Sequence, residues 1–60
     1  MYTKKYLESN GWVLQFKFDR TMETWKNTEN DYLIVDNTRE AVFQGNRHDC
    51  GIYIMRTTEK

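Results

Sequence analysis

A chain of 60 residues with one cysteine cannot brace itself with an internal disulfide. A domain of this size buries only about 60% of the surface its unfolded chain exposes, so an unstapled one depends wholly on its core. That core has to come from few, large side chains. The sequence supplies them as two Trp, four Tyr and three Phe, each ring burying on the order of 150–250 Å2. The same rings argue against disorder in a chain that is 30% charged, because disordered segments are poor in aromatics. One small folded domain over residues 1–60 is expected, too shallow for a nucleotide-binding α/β fold or a ligand-enclosing barrel.

The clearest pattern is the alternation Trp12-Val13-Leu14-Gln15-Phe16-Lys17-Phe18-Asp19, the period of a half-buried strand. Read as unbroken, it places Trp12, Leu14, Phe16 and Phe18 on one face. Before it, Thr3 reads as the N-cap of a two-turn helix over Lys4 to Ser9, closed by Asn10-Gly11. After it come a turn at Asp19-Arg20-Thr21, a strand from Met22 to Asn27 anchored by Trp25, and a polar loop from Asn27 to Asp31. Tyr32 to Val35 and Ala41 to Gln44 read as two further strands joined by the loop Asp36 to Arg39. Gly45 to Asp49 reads as a loop, Cys50 to Arg56 as a fifth strand, and Thr57 to Lys60 as a frayed tail. The expected fold is α+β: a short N-terminal helix followed by a four- to five-stranded antiparallel meander sheet, every connection being short enough for a hairpin.

The expected core is Leu7, Trp12, Leu14, Phe16, Phe18, Trp25, Leu33, Val35, Phe43, Ile52 and Ile54. A two-turn helix cannot cover five strands. Weaker apolar rows, Tyr32 with Ile34 and Tyr53 with Met55, fall on the opposite side. Both faces therefore carry apolar residues, which points to self-association or a protein partner.

Nine Lys and Arg balance nine Asp and Glu, and no basic run exceeds Lys4-Lys5. The electrostatic footprint of a polyanion binder is missing from the composition. His48-Asp49-Cys50 is the one cluster that suggests chemistry, since an extended segment would project His48 and Cys50 to one side and a Cys–His pair can serve as nucleophile and base. Yet the chain has no second His and no Gly-rich oxyanion loop, and two ligands are too few for structural zinc. Cys50 reads instead as a small hydrophobe entering a strand. No catalytic residue, metal or cofactor is expected, and no phosphate-cradling or paired-carboxylate motif occurs.

The leading functional reading is a small non-enzymatic protein-binding module acting as a homodimer, with Trp12, Trp25, Tyr32 and Tyr53 as contact residues. In general style the chain resembles small phage-encoded early proteins, which implies an inhibitor of a host protein. The first alternative is a nucleic-acid-binding module using the sheet surface, with Lys17, Lys26, Arg47 and Arg56 on the phosphate backbone. The second is an oligomer that sequesters a phosphorylated small molecule through Arg20, Arg39, Arg47 or Arg56. A lone cysteine and an N-terminal segment without an apolar signal region fit a cytoplasmic setting, bacterial or host.

Overall fold

The computed structural model describes residues 1–58. Thr3, extended at φ −70° and ψ 158°, caps helix α1 (Lys4–Ser9) by accepting a 3.1 Å hydrogen bond from the Tyr6 N–H. Gly11, at φ +85°, turns the chain out of the helix, and the Trp12 N–H donates back to the Leu7 carbonyl at 2.9 Å. That reversal needs the left-handed backbone glycine adopts freely. Four strands follow, β1 (Val13–Phe18), β2 (Met22–Lys26), β3 (Tyr32–Val35) and β4 (Ala41–Gly45), paired antiparallel in the order β1-β2-β3-β4. Side chains fix two of the three hairpin loops. Asn27 Oδ1 accepts from the Glu29 and Asp31 N–H groups, and Asp36 Oδ1 accepts from the Thr38 and Glu40 N–H groups and the Thr38 hydroxyl. The fold is α+β, as the pattern predicts.

Two expectations are corrected. The first strand is not a simple alternation, because the register shifts between Leu14, opposite Trp25, and Phe16, opposite Thr24. Gln15 is the extra residue of a bulge, which turns everything after it to the other side of the sheet. Leu14 therefore shares a face with Trp25 and Leu33, while Phe16 and Phe18 share the opposite face with Thr24, Ile34 and Phe43. Secondly, no fifth strand forms among the described residues. Arg47–Thr58 is a twelve-residue helix, α2. Asn46 starts it by accepting the Asp49 N–H on Oδ1 at 2.8 Å and the Cys50 N–H on its carbonyl at 2.9 Å. Thr57 and Thr58 lie in its last turn, where the Thr58 hydroxyl donates to the Ile54 carbonyl. The remainder of the expected frayed tail, Glu59 and Lys60, lies outside the described residues.

The helices cover opposite faces. On the first, Leu7 of α1 packs with Trp25, Leu33 and Val35, and Tyr2, Trp12 and Leu14 close around them. On the second, α2 lies over β3 and β4, and Ile34, Thr24 and Cys50 are buried. The expected core thus splits in two. Leu7, Trp25, Leu33 and Val35 keep their places, but Phe16 and Ile52 are exposed. The face that α1 leaves open is covered in part by α2, which lies over β3 and β4.

Candidate functional site

The part that α2 leaves open belongs to β1 and its neighbour. Cys50, Tyr53, Ile54 and Thr57, at helical spacing, are the buried and half-buried residues of α2. The Tyr53 ring stacks on Phe43 with centroids 5.4 Å apart and planes at 30°. Gly45 makes room for this pair, since a Cβ there would stand 3.0 Å from the tip of the Phe43 ring. Held against β3 and β4, the helix stands away from β1. Between them runs a groove of about 320 Å3, lined by Gln15 and Phe16 from β1, Tyr32 from β3, and Arg47, Cys50, Gly51 and Ile54 from α2. Gly51 has open space where a Cβ would stand, so the helix backbone itself is accessible there.

Arg47 and Gly51 also border a shallower depression with His48, Ile52 and Met55. The two hollows adjoin at Arg47 and Gly51, with exposed apolar side chains about them. Val13 and Phe16 on β1 are 62% and 47% exposed, and Ile52 and Met55 on α2 are 38% and 65% exposed. Lys26 sits 6.0 Å over the Tyr32 ring, which places a second cation beside the groove. Among the described residues, no carboxylate lines either hollow.

Of the four aromatic residues read as partner contacts, only Tyr32 reaches this surface. Trp25 is fully enclosed and Trp12 packs beneath α1; both are core residues in this arrangement. Tyr53 is occupied by Phe43. The sequence does not single out Phe16, Gly51, Ile52 and Met55 as contacts, because their exposure depends on the bulge and on α2 being a helix. The four cations read as nucleic-acid contacts separate as well. Lys26 and Arg47 gather at the groove, whereas Lys17, across from Glu23 on the first face, pairs with that carboxylate at 3.8 Å. Arg56, nine residues beyond Arg47, falls on the opposite side of α2 at about 100° per residue. The arginines suited to phosphate do not converge either, since Arg20 and Arg39 lie in hairpins at one end of the sheet and Arg47 at the other.

Arg39 has a structural task. It donates from Nη1 to Glu23 Oε1 at 2.7 Å and from Nε to the Tyr2 carbonyl at 2.9 Å, while its own carbonyl accepts the Tyr2 N–H at 2.8 Å. The Trp25 indole N–H donates to the same Glu23 oxygen at 3.2 Å. This network ties the N-terminal segment to the β3–β4 loop on the first face.

His48 and Cys50 are not neighbours of the kind the extended reading requires. Two positions along a helix separate side chains by about 200°, and His48 is exposed while Cys50 is buried. Burial pushes the Cys50 thiol up from its ordinary value, the opposite of what an activated nucleophile requires. No group of three or more potential metal ligands comes together among the described residues, and no helix among them is long and apolar enough to cross a membrane. Comparison with protein-family models, curated proteins and solved structures yields no match.

Proposed function

We propose that the protein is a non-enzymatic protein-binding module that engages its partner through the apolar surface spanning β1, the groove and the outer side of α2. The observation that carries this reading is the exposure of Phe16 at the groove and of Ile52 and Met55 at the depression that shares Arg47 and Gly51 with it, with Val13 exposed on the same strand as Phe16. Contiguous apolar surface on a small folded domain marks an interaction site more often than scattered exposed hydrophobes do. Inhibition of a host protein is one use for such a surface. The test is capture from the native cell with the wild-type chain and with Phe16→Ser and Met55→Glu. The reading predicts a specific partner retained by the wild type and lost from both variants, each still folded by circular dichroism. Equal capture by all three would overturn it.

A further inference from the structure

Resting on that reading, we infer that the β1–α2 groove receives an apolar side chain from an acidic segment of a partner protein, with Arg47 and Lys26 meeting the flanking carboxylates. The chain carries equal numbers of acidic and basic residues, yet among the described residues the groove and the depression beside it are lined by Arg47 and His48 and by no carboxylate, with Lys26 over the Tyr32 ring at the groove's edge. Both ion pairs among the described residues involve Glu23 on the far face, so Arg47 and Lys26 are free to pair with an incoming group. Asp49, the nearest acid in α2, falls on the other side of the helix from Arg47 and Gly51. A hollow of about 320 Å3 has room for one or two side chains, and a nearby arginine adds bidentate carboxylate recognition.

Two other occupants fit less well. A single-stranded nucleic acid needs a run of cations along its backbone as well as rings to stack on. Phe16 and Tyr32 offer rings at the groove, but among the described residues only Arg47 in its wall and Lys26 beside Tyr32 supply cations there, too few to track a backbone. A second copy meeting this surface across a two-fold axis would bring Arg47 and Lys26 towards their own equivalents, and like charges in contact oppose association.

The experiment is a titration followed by amide chemical shifts, using four probes: a short capped peptide of alternating Leu, Phe and Glu, its Gln-for-Glu and Lys-for-Glu counterparts, and oligothymidylate. The acidic peptide is expected to shift the Gln15, Phe16, Tyr32 and Gly51 amides saturably. It should bind at least about tenfold more tightly than either counterpart, and Arg47→Glu should weaken it by a similar factor. Equal binding of the Gln-containing peptide would overturn the acidic assignment and leave apolar docking standing. Tighter binding of oligothymidylate at the same amides would overturn both, as would no shift with any peptide at millimolar concentration. A dimer in sedimentation whose contact covers those amides would replace the acidic partner with a second copy.

Discussion

At Glu23 a carboxylate with only 18% of its side chain exposed stands beside the buried Trp25. Burial works against its charge. The hydrogen bonds from Arg39 and the Trp25 indole, with the positive charges of Arg39 and Lys17, outweigh that cost, and the carboxyl lies below its ordinary value. A group whose folded pKa is depressed adds stability above its unfolded pKa and loses it as pH falls through the folded one. Asp36, also held low, chiefly by the Thr38 hydroxyl, acts in the same direction. Thermal stability should therefore drop on acidification through the carboxylate range. Glu23→Gln should cost about 1–2 kcal/mol at neutral pH and flatten that drop. Melting curves of both proteins across this range check the expectation, and parallel profiles would contradict it. The arrangement also holds Arg39 at φ +65°, a left-handed backbone that costs a non-glycine residue about 1–2 kcal/mol. The ion pair and the tie to Tyr2 offset it.

At the scale of elements, what the sequence reveals tracks how local each signal is. Helix α1 and the hairpin loops follow from residues adjacent to them: Thr3 and Gly11 at the helix ends, Asn27 and Asp36 in the loops. Strand β3 is bounded as the pattern predicts. The bulge at Gln15 leaves no mark on an alternating sequence, and an unbroken alternation puts Phe16 and Phe18 on the face opposite the one they occupy. Helix α2 was hidden by Ile52-Tyr53-Ile54-Met55, a β-prone run whose period is ambiguous over four residues. The helical spacing of Cys50, Tyr53, Ile54 and Thr57 is present in the sequence, as is an N-capping residue type at Asn46. Gly45 to Asp49 reads as a loop all the same, and Cys50 to Arg56, with Gly51 inside it, as a strand. Because the Asn46 cap satisfies a donor that nothing else in the turn accepts, Asn46→Ala should destabilise the protein by about 1 kcal/mol. Tyr53 should be freed from Phe43 sooner on heating, visible as an earlier change in tyrosine fluorescence. An unchanged melt would remove the cap from the account of why α2 forms.

For the molecule as a whole, the outcome is a four-stranded sheet with a helix on each face, the first closing its core fully and the second leaving a groove. Residue types alone could not locate that groove, since its walls come from β1, β3 and α2 and depend on both features the alternation concealed. Of the aromatic contacts anticipated, Tyr32 alone reaches it, and of the anticipated cations Arg47 lines it. Gly51 offers the most direct test of the central claim, because it borders both hollows and has open space around its missing Cβ. Leucine there should fill the groove without pressing on the core, and replacing a mid-helix glycine should add about 1 kcal/mol of stability, or roughly 4–8 °C in a domain this small. Melting temperature and binding of the acidic peptide are to be measured on the same Gly51→Leu sample. The account predicts a higher melting temperature with binding abolished; unimpaired binding by a folded Gly51→Leu protein would contradict it.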